Sequence, residues 1–447
     1  MTMTTGLARF TEKARAEPRT RFNALMGLMF DPAGLHASFE RQAGRKAPGV
    51  DGIRKVDYAV DVGANITALA RRLRCMGYRP QPARRVYVPK GDGRYRPLGV
   101  PCFEDRLVQD RMSRLLQAIW EPEFRDCSYG FRPGRSAHDA LRRVAQVVTY
   151  EDTQWVVEAD VKRFFERVSH EHLMRFLAHR ITDPRLLRII RRFLKAGIME
   201  DGAMSESEAG TPQGGLVSPV LSNIYLHYVL DLWFEKRFAK TCQGKAHLVR
   251  YADDFLACFQ YQAEAERFLA ALEERLAAFD LEVEPTKTTL LRFGSNAARS
   301  CGRDGLRRPK TFSFLGFTHF ATRSRRGYFA LGRRTEGKRL RQKLKWLNQR
   351  LRSLRVKGGQ AMTAYVQSHL RGHIQYYGVS GNLPQVRNYV LKACFLLWKW
   401  LNRRSHRRSI LWRRFARLIP TLMPRPHVVH SLHPVPPWMT QTGSRMV

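Results

Sequence analysis

The stretch HLVRYADDFLACF, residues 247–259, sets two aspartates side by side between two apolar segments. Each flank is strand-length, so the pattern predicts strand, two-residue turn, strand, with Asp253 and Asp254 at the hairpin tip. Adjacent like charges beside a core are costly unless something positive meets them. A turn accommodates one aspartate easily and explains a second less well. By itself the pair is an ordinary turn far more often than a site, so the surrounding sequence has to decide.

A third carboxylate answers it. Asp160 ends the apolar run WVVEAD (155–160). If that strand neighbours the hairpin, Asp160 meets Asp253 and Asp254. Carboxylates on rigid strands form an oxygen-ligand site, and Mg²⁺ favours a few carboxylates completed by substrate phosphates. Two such ions would align a hydroxyl and a phosphate for in-line displacement.

The charge says which substrate. Net charge is +39, from 78 basic and 39 acidic residues. A polyanion is the natural partner, nucleic acid before an anionic membrane. The last acidic residue is Glu336; the 111 residues beyond it hold 22 Lys and Arg. That asymmetry assigns nucleic-acid binding to the C-terminal quarter. Carboxylates on strands in so basic a chain read as nucleotidyl transfer. The seven cysteines are scattered without any CxxC, which suggests neither a zinc site nor a disulfide framework and fits a reducing cytosol. No apolar run approaches the ~20 residues of a membrane span.

Further elements follow from spacing. RRVYVPKGDGRYRPLGVP (84–101) predicts a hairpin turning at GDG, and residues 104–120 a helix. A helix is expected from about Ser169, another over 215–238, and an amphipathic one over 264–279. TFSFLGFTHF (311–320) reads as one strand. After about residue 330 only helices are expected. Leu340, Leu344, Leu347, Leu351 and Leu354 share a face, and segments near 360–377 and 384–403 complete a three-helix basic module. Residues 404–447 read as a further basic helix and a Pro-rich tail that does not pack by itself. The irregular mixture predicts an α+β fold with an antiparallel sheet.

In this order and spacing, the motifs resemble the reverse transcriptases encoded by group II introns, the intron maturases. They are APGVDG (47–52), RRVYVPKGDGRYRPLGVPCFEDRLVQ (84–109), YGFRPGRSAHDAL (129–141), EADVKRFFERVSH (158–170), GTPQGGLVSPVLSNIYLH (210–227), RYADDF (250–255), LEVEPTKT (281–288), FLGF (314–317) and LRGHIQYYG (370–378). The resemblance covers about residues 43–400. It implies a basic N-terminal extension (1–42), right-hand polymerase fingers and palm (43–325), an all-α thumb or maturase domain (330–403) and a short basic DNA-binding-like segment with tail (404–447).

Residue by residue, the resemblance implies that Asp160, Val161, Asp253 and Asp254 bind two Mg²⁺ ions, with Mn²⁺ as a substitute, the three aspartates being catalytic. Lys90, Arg96, Phe165, Gln213, Gly214 and Lys287 would surround the nucleotide, Phe165 as the gate against a 2′-hydroxyl. Tyr251 and Ala252 would lie at the primer end. Arg339, Lys343, Lys345, Arg350, Arg371, Arg403, Arg404, Arg407 and Arg408 would bind RNA. The implied partners are intron RNA, target DNA, a DNA primer and dNTPs, with no membrane. The implied location is a bacterial cytoplasm, at the nucleoid when DNA is bound. The paired Cys and His-Asn-His core of the family's endonuclease domain find no match, so no endonuclease is expected. Two other readings stay open: a stand-alone reverse transcriptase of a host-defence or CRISPR-linked system, and a non-catalytic RNA-binding splicing factor.

Overall fold

A computed structural model describes residues 5–89, 95–200, 203–205, 209–210, 214–303, 305, 309–324, 326–403 and 410–436. In chain order the strands are β1 Ala83–Pro89, β2 Tyr95–Val100, β3 Trp155–Asp160, β4 Ile198–Glu200, β5 Ala203–Ser205, β6 Ala246–Tyr251 and β7 Asp254–Phe259. They continue as β8 Thr289–Arg292, β9 Phe312–Phe314, β10 Phe317–Arg323 and β11 Phe329–Thr335. Three sheets result, ordered β2-β1-β4-β5, β6-β7-β3-β8 and β11-β10-β9, each antiparallel except where β1 meets β4. With the many helices between them, the architecture is α+β.

The central sheet, β6-β7-β3-β8, is covered on both faces. Val157, Ala159, Phe255, Ala257 and Phe259 pack with the helices Phe103–Trp120 and Gln262–Ala277 in one apolar cluster. Their alternates Val156, Val249, Leu256 and Cys258 join a second cluster with the helix Ala137–Tyr150 and the C-terminal helices. Double burial is why DFLACF is apolar at consecutive positions instead of alternating. Each large side chain fully buried this way contributes about 1.5–3 kcal/mol. The N-terminal residues Leu7, Phe22, Met26, Leu35 and Phe39 belong to the first cluster.

The C-terminal helices are Gly337–Leu354, Gly359–Tyr377 and Leu383–Asn402, then Trp412–Leu422. Leu340, Leu347, Leu351 and Leu354 are buried and Leu344 partly so, as the leucine spacing predicts. These side chains share their cluster with the central sheet, so the module is fused to the sheet through a continuous core.

Three expectations are corrected. Residues 311–320 are two strands, not one: β9 and β10 pair antiparallel across Leu315 and Gly316, at φ 51° and 80°. Positive φ at a leucine is costly and hides the turn from pattern reading. Strand structure also persists to Thr335, because β10–β11 is a hairpin, and helix begins only at Gly337. Finally, over 215–238 the helix is α only through Leu226 and then π-wound in two pieces. The described part of the tail packs against the helical module and not by itself: Met423 and Leu432 are buried, and the 429–430 backbone amides both donate to the Gly378 carbonyl.

Candidate active site

The hairpin forms as its sequence predicts. Tyr251 pairs with Asp254, leaving Ala252 and Asp253 as a two-residue loop with Ala252 at φ 59°. Positive φ at the first loop residue belongs to the primed turns that match strand twist. The loop is pressed by Gly130, where an added Cβ would lie 2.4 Å from the Ala252 nitrogen.

β3 runs antiparallel to β7 in a register that sets Asp160 opposite Asp254. Like charges across a ladder repel. Burial pushes Asp254 up to about 7, and the charges of Asp160, Asp253 and Glu158 add to it, with Arg339 opposing. Asp253 is raised by burial and by Asp160, with Lys287 and Arg96 opposing.

Three cations therefore already lean on the cluster, Lys287, Arg96 and Arg339. The turn that follows Glu284, whose amide donates to the Asp160 carbonyl at 2.8 Å, brings the Lys287 ammonium onto the Asp160 carboxylate. Burial lowers the Lys287 pKa, but the hydrogen bond and charge of Asp160 outweigh it and the net shift is upward. Arg96, exposed on β2 opposite Val88, reaches the cluster from the β1–β2 pair through its charge alone.

Among the described residues, no group of three His, Cys, Asp or Glu side chains stands at metal-holding distances. The sheet brings Asp160, Asp253 and Asp254 to one edge, with a lysine on one of them. The donor set still fits a divalent cation: carboxylate oxygens on rigid strands and their turn, two of them, Asp253 and Asp254, raised in pKa by burial and then by neighbouring like charge that such a cation relieves. Val161 is buried and bridges to Val283, so only its backbone could contribute.

The neighbouring predicted residues fall as follows. Phe165 is half-buried, edge-on to Phe164 with centroids 5.5 Å apart. Its carbonyl meets Gly210, where a Cβ would sit 2.8 Å away. Gly214, at φ 112°, faces the Gly99 carbonyl of β2, where a Cβ would come within 2.4 Å. Only glycine allows that approach. Gly210 thus abuts the Phe165 turn and Gly214 abuts β2. Tyr251 is half-buried, 6.4 Å from the Phe131 ring. Lys90, Gln213, Arg404, Arg407 and Arg408 lie outside the described residues. Arg339 is exposed beside the cluster, bonded to Glu336 at 2.9 Å. Lys343 is packed over the Tyr377 ring at 4.7 Å, and Lys345, Arg350, Arg371 and Arg403 are exposed on the helical module.

Sequence reasoning missed what lies beneath the turn. Arg250 is wholly buried and clamps Asp231 by two bonds of 2.7 and 2.5 Å, both side chains having no exposure. The same guanidinium donates to the Ala252 carbonyl (3.0 Å), Asn223 Oδ1 (3.1 Å) and Ser128 Oγ (2.7 Å). Asn223 in turn donates to the Gly130 carbonyl at 2.7 Å. An arginine breaking an otherwise apolar strand was the available signal.

A family profile described as reverse transcriptase (RNA-dependent DNA polymerase) matches residues 88–319, a little over half the chain and the span that holds this cluster. The chain belongs to the reverse transcriptase family. Among curated relatives it is 37% identical over 244 residues to Protein YkfC of Escherichia coli K12, covering 53% of the chain and 63% of that protein. It is 34% identical over 233 residues to the Group II intron-encoded protein LtrA of Lactococcus lactis subsp. cremoris, 51% of the chain and 38% of LtrA. A shorter match, 30% over 95 residues, is to Nuclear intron maturase 1, mitochondrial, of Arabidopsis thaliana, 21% of the chain and 13% of that protein. The chain thus spans under two thirds of the length of each of these relatives. No helix among the described residues is long and apolar enough to cross a membrane.

Proposed function

We propose that the protein is an RNA-directed DNA polymerase of a group II intron, which binds the intron RNA, assists its splicing and copies it into DNA during retrohoming. The observation that carries the polymerase reading is the pairing of Asp160 with Asp254 beside the Ala252–Asp253 turn, at one edge of a rigid sheet. The intron reading rests on the similarity to the group II intron-encoded protein LtrA and to an intron maturase.

In nucleotidyl transfer the primer 3′-oxygen bonds the α-phosphorus of a dNTP. The bond to the β-phosphate bridging oxygen breaks, pyrophosphate leaves and the 3′-hydroxyl gives up its proton. Two Mg²⁺ ions, when bound, supply charge neutralisation for that displacement, and Asp160, Asp253, Asp254 and the Val161 carbonyl would hold them. The protein's own residues do the rest. Arg96, with Lys90 and Gln213, meets the triphosphate. Gly214 admits it close to backbone, and Phe165 blocks a 2′-hydroxyl. Tyr251 and Ala252 support the primer end. Lys287 balances the charge of Asp160. The regions 43–325 and 330–403 act as fingers-palm and thumb.

The test is extension of a DNA primer on an RNA template with dNTPs and Mg²⁺, against the Asp253→Ala/Asp254→Ala double variant. Extension no greater than that control refutes the reading. A splicing assay on the flanking intron RNA tests the maturase half: no rate increase with added protein removes it.

A further inference from the structure

The helix Pro184–Lys195, PRLLRIIRRFLK, has no part in the carboxylate site, yet its division of labour is sharp. Asp183 caps it, accepting from the Arg185 amide at 3.0 Å and the Leu186 amide at 3.3 Å. Leu186, Ile189, Ile190, Phe193 and Leu194 are buried. Arg188, Arg191 and Lys195 are exposed on the opposite side, at i, i+3 and i+7, and so line up in one stripe.

That stripe is a ridge between two grooves. On one side lies a cleft of about 670 Å³ toward His170, Glu171, Met174 and Arg175. On the other lies one of about 260 Å³ toward Arg79 and Pro80. Arg188, Arg191 and Lys195 line both. Among the described residues none of these three, nor Arg175 or Arg79, has an ion-pair partner, while Arg192 on the same helix is spent on the Met76 and Tyr78 carbonyls. One carboxylate, Glu171, stands in the wider cleft. Unpaired cations held this close repel one another, and a fold keeps them together at a cost that a bound polyanion removes.

We propose that this ridge is a binding surface for the phosphate backbone of RNA, separate from the nucleotidyl-transfer site. The ridge has the right reach: Arg188 to Lys195 is about 10 Å along the helix at ~1.5 Å per residue, comparable with three phosphates of a stacked strand at ~3.4 Å each. Its position also suits a strand leaving the site. His170, in the wider cleft, is bonded to the Gly210 carbonyl at 2.6 Å, and Gly210 abuts Phe165. At the far end the cap Asp183 also accepts from the Met26 amide at 2.9 Å, so the track ends against the N-terminal segment.

The inference shares with the proposed function only its choice of nucleic acid, and one experiment separates the two. Binding of a labelled RNA stem-loop with a single-stranded extension is measured by anisotropy across a KCl series. The full chain is compared with Arg188→Gln/Arg191→Gln/Lys195→Gln. Each lost phosphate contact should flatten the slope of log affinity against log salt by roughly 0.7–0.9, so a drop of roughly 2–3 is expected for three. The charge-preserving variant Arg188→Lys/Arg191→Lys should keep the wild-type slope. Extension of a saturating, pre-annealed short primer–template should be unchanged in the Gln variant. An unchanged salt slope in the Gln variant overturns the proposal. So does a loss confined to binding of phosphatidylserine vesicles, which would make the partner a lipid surface. A flattened slope with no extension by the wild-type protein would leave this surface standing and sink the polymerase reading instead.

Discussion

Replacing Arg250 by methionine removes a wholly buried guanidinium that makes five hydrogen bonds. The dominant loss is electrostatic: Asp231, with no exposure, is left as an uncompensated buried carboxylate. Breaking such a pair from one side costs about 3–5 kcal/mol. The orphaned acceptors on Ser128, Asn223 and Ala252 add to this, at about 1 kcal/mol each if nothing relaxes. A domain is stable by only ~5–15 kcal/mol, so the single variant should be severely weakened in urea unfolding followed by circular dichroism. Removing Asp231 as well, in Arg250→Met/Asp231→Leu, eliminates the stranded charge. The double variant should recover about 2–3 kcal/mol of the loss, since apolar replacement of a whole buried pair is often neutral. Activity should not return with stability, because the Ala252 carbonyl has lost its donor and the turn carrying Asp253 its tether. Primer extension, measured where both proteins are folded, should stay at least tenfold down. Additive single-variant losses would refute the pairing argument. Restored extension in the double variant would refute the tether.

Phe165→Ala should admit ribonucleotides, read as a falling ratio of dNTP to rNTP incorporation; an unchanged ratio removes the gate role. Gly130→Ala places a methyl 2.4 Å from the Ala252 nitrogen and should cost about 1–3 kcal/mol by overpacking, with extension falling more than stability; full extension would show the turn yields freely. Lys345→Gln/Arg350→Gln/Arg371→Gln should flatten the salt dependence of RNA binding by roughly 2–3, and an unchanged slope would remove the helical module from the interface. Burial pushes Asp105 up to about 7 despite bonds from Tyr78 and the Gln81 amide. Its stabilising neutral form is fully present below the unfolded value near ~3.9 and is lost as pH rises through about 7, a swing of at most roughly 4 kcal/mol. Asp105→Asn should flatten that part of the stability profile between pH 4 and 7; identical profiles would show that Asp105 does not titrate there.

How much of this was legible depends on the range of the interaction. The hairpin at Tyr251–Asp254, the pairing of β1 with β2 and the leucine face of Gly337–Leu354 were readable, because turn chemistry and periodicity act within a few residues; the expected GDG turn at 91–93 lies outside the described residues. The turn at Leu315–Gly316 was not, since a leucine at positive φ goes against local preference. It is held from outside, where the Tyr376 hydroxyl donates to the Leu315 carbonyl at 2.9 Å. The packed tail was hidden for a similar reason: its proline-rich composition gives no period, and its hydrogen bonds run to Gly378 and Ser380. A truncation near residue 335, which composition alone suggests as a test of RNA binding, would strip one face of the central sheet, because Val156 and Leu256 share a core with Leu347 and Leu370.

By itself the sequence determined which chemistry is on offer: aspartates at strand ends, motifs in family order, and a cationic C-terminal quarter without acids. Those are properties of residue type and spacing. Only the tertiary structure decided what meets them. It set Asp160 across from Asp254 and put Lys287 on Asp160. It drove Arg250 under the turn to Asp231, and it left Arg188, Arg191 and Lys195 without an ion-pair partner among the described residues, between two clefts. Charges interact through space over a few ångströms, and the partners of each lie far away along the chain. The positive group nearest the core side of the paired aspartates was in the quoted stretch all along, but only folding shows that its charge is spent on a third aspartate and its remaining donors on the turn.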